Sequence, residues 1–185
     1  MRLIVGLSGA SGIAYGIRLL QVLRNKNITT DLILTETASK IIELETPMKV
    51  TDVVNLATYV HDIKNLAAPI ASGGLRINGM VIIPCSMKTL AGIAHGYTDN
   101  LLLRAADVIL KEKRPLIIVP RETPLNVLHL ENMLKLAKIG VVILPAMPAF
   151  YHKPKTIGDL IDHIVGKVLD ALQIEHELYE KWKGI

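Results

Sequence analysis

Five short stretches of this 185-residue chain carry small, hydroxyl-bearing or charged residues in an order that could hold an anion or move a proton. The first is Gly6-Leu7-Ser8-Gly9-Ala10-Ser11-Gly12. Small residues let a backbone approach a ligand closely, and the free N–H groups of a helix start attract negative charge. With glycines at 6, 9 and 12, the stretch is neither the GxxxxGK[ST] loop of nucleoside triphosphatases nor GxGxxG. Either it is a tight turn that packs a helix onto a sheet, or it binds the phosphate of a mononucleotide. The second reading is favoured, but the motif alone does not name the ligand. The remaining four are Thr35-Glu36, Pro84-Cys85-Ser86-Met87-Lys88-Thr89, Arg121-Glu122, and residues 145–154. Thr35 suits a helix cap as well as a ligand contact. Ser86 and Thr89 put hydroxyls at a helix start. Arg121 could bind phosphate and Glu122 could handle a proton, or the two could form a plain ion pair. Residues 145–154 place three prolines, the only Phe (Phe150) and Tyr151 together, a stiff wall suited to an apolar group.

Each stretch follows an apolar run. Residues Arg2–Leu7, 31–35, 80–84, Leu116–Pro120 and 141–144 read as strands, most of them apolar at nearly every position. Continuous apolarity marks strands covered on both faces. Between them, Ile13–Asn25, 99–113 (capped by Asp99), 125–138 and 156–172 (capped by Thr156) carry helical spacing. Strand and helix in alternation imply an α/β fold. The expectation is a three-layer, doubly wound, Rossmann- or flavodoxin-like, mostly parallel sheet. It forms a single domain over 1–185, with a C-terminal helical arm over about 173–185. In such sheets ligands bind beyond the carboxyl ends of the strands, where all five stretches fall. The glycine-rich segment 67–79 is read as a loop over that same edge.

Composition narrows the field. Hydrophobic residues make up 50% and aromatic residues only 4%, so the apolar excess is aliphatic. Strands buried on both faces, or protomer surface hidden in an oligomer, would produce it. A net charge of +4 with scattered basic residues, and few aromatics, argues against nucleic acid. The single cysteine, Cys85, excludes an internal disulfide and a multi-cysteine zinc site, and reads as inert core, as His95 reads as structural. No run is long enough to span a bilayer and the first residues do not read as a signal peptide, so a cytoplasmic, membrane-free protein is expected.

In this order and spacing the motifs become specific. Ser8-Gly9-Ala10-Ser11-Gly12, Pro84-Cys85-Ser86-Met87-Lys88-Thr89-Leu90, Arg104-Ala105-Ala106-Asp107-Val108, Pro120-Arg121-Glu122-Thr123-Pro124-Leu125, His129-Leu130-Glu131-Asn132-Met133 and Pro148-Ala149-Phe150-Tyr151-His152 run nearly the whole chain. Together they resemble the UbiX-type flavin prenyltransferases, within the wider group of FMN-dependent flavoproteins that includes cysteine decarboxylases. The resemblance implies transfer of a dimethylallyl group from dimethylallyl phosphate to N5 and C6 of reduced FMN. The prenylated FMN would serve a UbiD-type decarboxylase. It further implies a metal-independent transferase and a homododecamer with sites where subunits meet.

Carried over by position, Gly9, Ala10, Ser11, Thr35, Ser86, Met87, Lys88, Thr89, Arg104 and Arg121 would bind FMN. Tyr151 and Lys167 would hold the prenyl phosphate, with Lys111 from a neighbouring subunit. Ser11, Glu45 and Glu122 match residues that handle protons and phosphate departure, and Trp182 an aromatic that closes on the prenyl group. Position 167 departs from the family, which has Arg there. Lysine keeps the charge but loses the planar fork, which bears on phosphate affinity and donor choice. Two rivals share the scaffold: an FMN-dependent decarboxylase and a non-catalytic FMN carrier. The cysteine decarboxylases carry Pro-x-Met-Asn, where this chain has Pro145-Ala146-Met147-Pro148, and storage would not require Lys111, Glu122, Tyr151 and Lys167. An NAD-dependent oxidoreductase is opposed by the glycine spacing and by Thr35.

Overall fold

A computed structural model describes residues 1–182 and 184. Six parallel strands, β1 (Arg2–Leu7), β2 (Thr29–Leu34), β3 (Tyr59–His61), β4 (Gly79–Cys85), β5 (Leu116–Pro120) and β6 (Val142–Ile143), lie in the order β3-β2-β1-β4-β5-β6. The strand order reverses between β1 and β4, which makes their carboxyl ends the switch point at which such sheets bind ligands. Seven α-helices are described: α1 (Ile13–Asn25), α2 (Glu36–Glu45), α3 (Val50–Val54), α4 (Met87–Ala94), α5 (Leu101–Lys111), α6 (Val127–Lys138) and α7 (Ile157–Ala171). Among the described residues no helix is long and apolar enough to cross a membrane.

The near-continuous apolarity of the strands has the cause inferred for it. Successive side chains of a strand point to opposite faces. Leu3, Val5, Leu7, Val81 and Ile83 enter a core packed by α1, α2 and α7, while Ile4, Met80 and Ile82 enter a second one packed by α4, α5 and α6. Both faces are therefore dry.

Several boundaries differ from the sequence pattern. β2 begins two residues earlier than its apolar run, because Thr29 and Thr30 pair with Arg2 and Leu3 of β1. The cap of α5 is Asn100, whose side chain accepts from Leu103 N, and not Asp99. The edge strand β3 carries no apolar run. It is held instead by Asp31, fully buried, which accepts from Arg2 Nε at 2.6 Å and lies 2.8 Å from His61 Nε2. That cluster joins β1, β2 and β3 through an Arg–Asp ion pair and a hydrogen-bonded imidazole rather than through hydrophobic pattern. Segment 67–79 does not cover the ligand edge. It descends along α5 to the opposite edge, where Arg114 donates to the carbonyls of Leu75 and Gly73. The arm is not helical over its described residues 173–182. Gln173 takes a left-handed φ of 57°, which stops α7, and the sequence beyond it is too polar to offer a helix an apolar face. The parts of that expectation at 183 and 185 lie outside the described residues.

Gly16 of α1 is the point of closest approach between a helix and the sheet. A Cβ there would collide with the Ile83 carbonyl oxygen and with Leu7. Alanine is the better helix former, yet Gly16→Ala is expected to destabilise the fold by about 1–3 kcal/mol through overpacking. Urea unfolding should show a lower midpoint at an unchanged slope.

Candidate active site at the sheet edge

The site is built on Ser8, which is fully buried at the end of β1. Its hydroxyl donates to the Pro84 carbonyl (3.1 Å) and accepts from Ser86 N (2.8 Å), locking the glycine loop to the start of α4. Gly9 follows, and a Cβ on it would lie 2.7 Å from Thr37 Cβ, so only glycine lets the loop pass α2 this closely. Gly12 takes a left-handed φ of 98°.

The N–H groups at the start of α1 already have an anion. The carboxylate of Glu45, at the end of α2, accepts from Gly12 N (2.9 Å) and Ile13 N (3.1 Å). Where the sequence suggested a ligand phosphate on these groups, the chain supplies its own carboxylate. Burial pushes the Glu45 carboxyl up, but hydrogen bonds from Ser11, Gly12 and Ile13, with the Arg121 charge, outweigh it and hold the group below its ordinary range. Ser11, Glu45 and Arg121 thus form one cluster, and Arg121 Nε donates to the Ser11 carbonyl at 3.1 Å.

Beside this cluster a cavity of about 220 Å³ opens between the loop after β1, the start of α2, and the N-termini of α4 and α5. Gly9, Thr35, Ser86, Lys88 and Thr89 line it, as do Thr37 and Asn100, which sequence reasoning passed over. Thr35 and Ser86 do two jobs. Each caps its helix through a side-chain oxygen, to Ala38 N and Thr89 N respectively, and each also faces the cavity. Asn100 behaves the same way at α5, so helix capping was the available signal for it. Among the described residues no acceptor meets the N–H groups of Met87 and Lys88, which with the Lys88 ammonium and three hydroxyls make a cradle for a phosphate. Ala10 is buried behind the loop.

Arg121 and Glu122 border a notch of about 60 Å³ with Met133, Pro145 and Met147. The exposed Glu122 accepts from Thr123 N (3.1 Å). Cys85 is fully buried and burial pushes its thiol far up, which fits inert core. Among the described residues no group of three His, Cys, Asp or Glu could hold a metal ion.

The other expected site residues stand elsewhere in the protomer. Arg104 donates to the Ala71 carbonyl and pairs with Asp107 at 2.9 Å, away from the cavity lining. Lys111 ends α5 at the opposite edge of the sheet and pairs with Glu112 at 2.7 Å. Tyr151, Lys167 and Trp182 gather on the flank of α7. The Tyr151 ring meets Trp182 edge-on at 5.6 Å and His163 at 6.0 Å, and Lys167 stands one turn beyond His163. His152 stacks on His163 at 5.1 Å, and both its ring nitrogens are buried without a hydrogen-bond partner among the described residues. Burial, then the charges of His152 and Lys167, pull His163 below the usual imidazole range.

The sequence pattern of the family described as Flavoprotein matches residues 1–169. The chain belongs to the Flavoprotein family. This flavoprotein is 51% identical to the flavin prenyltransferase UbiX of Escherichia coli strain K12, over 99% of the chain and 98% of that protein. A dodecameric FMN-dependent UbiX-like decarboxylase from Escherichia coli O157:H7 superposes with a TM-score of 0.98 at 51% identity, covering 100% of both chains. AnUbiX (PadA1), solved with FMN and dimethylallyl pyrophosphate, gives 0.98 at 46% identity, over 100% of this chain and 98% of that one.

The Glu45 contact to α1 requires the ionised carboxylate. Its contribution is therefore present above the ordinary carboxylate range and lost as pH falls below it. Glu45→Gln should cost no more than about 2 kcal/mol at neutral pH, the upper end for a lost helix cap, and the gap from wild type should narrow progressively as pH falls through and below the ordinary carboxylate range. Urea melts of both proteins at neutral pH and at a series of acid pH values check this.

Proposed function

We propose that the protein is a flavin prenyltransferase that joins a dimethylallyl group to N5 and C6 of reduced FMN. The observation that carries this reading is the pairing of a phosphate cradle (Thr35, Thr37, Ser86, Lys88) with the Ser11–Glu45–Arg121 cluster and the adjacent Glu122 at one sheet edge. A flavin store would need only the first. The near-identical fold of AnUbiX, which binds FMN and dimethylallyl pyrophosphate, supports it.

Gly9, Ala10 and the start of α4 hold the flavin in this reading, with Met87, Lys88 and Thr89 facing its phosphate or ring. Bound reduced FMN supplies the nucleophilic N5 and C6. Transfer is redox-neutral: the allylic C–O bond breaks with its electron pair leaving on phosphate as C1 bonds to N5 and N5 loses its proton, and ring closure onto C6 then consumes the alkene π bond, C2 taking up a proton as C6 gives one up. Preorganised cations stabilise that departing charge far better inside a dry site than in water. Arg121 is the cation of that cluster, Ser11 and Glu45 stand beside it for phosphate departure, and Glu122 takes up and returns the protons exchanged between the flavin and the allyl group.

Tyr151, Lys167 and Lys111 stand away from this edge in the protomer, so the prenyl phosphate site is completed by other copies of the chain. Lys111 in particular joins only from a neighbour. The surface supports assembly: Val127, Leu130 and Leu134 form one exposed apolar stripe along α6, and Phe150 and Ile157 are 70% and 76% exposed. A dodecamer, as in the E. coli O157:H7 relative, would cover such surface and accounts for the aliphatic excess. We place the reaction in the cytoplasm and its product with a UbiD-type decarboxylase.

Incubation with reduced FMN and either dimethylallyl monophosphate or diphosphate should yield a flavin heavier by one five-carbon unit, read by mass spectrometry. Unmodified FMN with both donors overturns the reading. Replacing Glu122 by Gln should slow product formation by about 10²-fold or more, the scale of a lost general base, while FMN affinity holds within about twofold by titration.

A further inference from the structure

The C-terminal arm does not trail from the protein. After Gln173 it reverses, with Ile174 N donating to the Leu169 carbonyl at 2.9 Å, and runs back along α7. His176 and Tyr179 come to rest over Gly166, and Trp182 reaches Tyr151. Two features of α7 make that path possible. Gly166 is the floor: a Cβ there would lie 2.5 Å from Tyr179 Cε1 and 2.7 Å from His176 Cε1, so any larger residue displaces the arm. Asp170 is the anchor. Its carboxylate accepts from Tyr179 Oη at 2.6 Å and from Lys181 Nζ at 2.9 Å, and stands 3.3 Å from His176 Nε2.

An acidic residue in the last turn of a helix opposes the helix dipole, and glycine inside a helix weakens it. Neither choice serves α7 by itself. Both serve the arm. Burial pushes the Asp170 carboxyl up, yet the hydrogen bonds from Tyr179 and Lys181 and the charges of His176 and Lys181 hold it down at about 2. Ionised and multiply bonded, it is a fixed point over the whole physiological range.

We propose that Gly166 and Asp170 form a latch that fixes the arm along α7 and so positions Trp182 against Tyr151. Both are positioning residues. Their catalytic consequence rests on the prenyltransferase reading, in which Tyr151 and Trp182 enclose the donor.

Trp182 is the only tryptophan, so its fluorescence reports the arm alone. In the full-length protein without added flavin, Gly166→Ala and Tyr179→Phe should lower the tryptophan anisotropy. They should also raise its acrylamide quenching constant, by less than about twofold because the indole is already 60% exposed beside Tyr151. Gly166→Ala introduces a better helix former, so a loss of the signal is not a loss of α7. With reduced FMN present, both variants should raise KM for dimethylallyl phosphate about tenfold, the scale of one charge-assisted hydrogen bond, with FMN affinity unchanged. Asp170→Asn should move the fluorescence in the same direction, and Asp170→Glu should restore part of it. Unchanged anisotropy and quenching in both Gly166→Ala and Tyr179→Phe overturns the latch. A freed tryptophan with an unchanged donor KM overturns its positioning role. A wild-type protein that makes no prenylated flavin removes the prenyltransferase reading instead, and the fluorescence still decides the latch.

Discussion

One buried hydroxyl holds the site together. Ser8 joins the ends of β1 and β4 at the point where strand order reverses, its hydroxyl donating to the Pro84 carbonyl and accepting from Ser86 N. A parallel sheet leaves its strand ends splayed, because each strand continues into a separate crossover. The Ser8 bridge closes that gap at one place, so the loop after β1 and the start of α4 form a single rigid lip. Gly9, Ser86 and Lys88 stand on that lip, and Thr35, whose N–H donates to the Leu7 carbonyl, faces the same cavity from the start of α2. Backbone bonds from Ser8 N to the Pro84 carbonyl and from Thr35 N to the Leu7 carbonyl act beside it, and the hydroxyl adds the link to the start of α4.

Anions at helix ends form the second layer of organisation, and they are used in opposite senses. Glu45 sits where the dipole of α1 welcomes negative charge, and it leaves that helix self-satisfied. Asp170 sits where the dipole of α7 resists negative charge, and it is retained by donors that come from another segment. The first arrangement stabilises a local structure. The second makes sense only through what it holds in place.

In the proposed prenyltransferase, separation of the expected site residues within one chain is what gives assembly its meaning. Lys111 ends α5 at the far edge of the sheet, while Tyr151, Lys167 and Trp182 line the flank of α7. Under the proposed reading, one active centre that uses all of these residues draws them from several copies of the chain. The exposed apolar stripe on α6 and the uncovered Phe150 and Ile157 are surfaces of the kind that such packing hides.

Much of this was legible in the sequence, for a physical reason. Local rules govern strands such as Leu116–Pro120, helices such as Ile13–Asn25, and the Thr156 cap of α7, because periodicity, propensity and capping act over a few residues. The same holds for Thr35 and Ser86, which residue type and position after a strand are enough to mark as caps facing the ligand edge. What the chain could not announce depends on contacts far apart in sequence. β3 exists because Asp31 recruits Arg2 and His61, and the helix-start anion of α1 is Glu45, more than thirty residues away. The arm abandons helix because it folds back onto Gly166 and Asp170, a surface absent until α7 has formed. Sequence thus determined the elements and the chemistry carried at their ends. Tertiary structure alone decided which charges meet, since that choice is made by whichever distant groups the finished sheet brings within hydrogen-bonding reach.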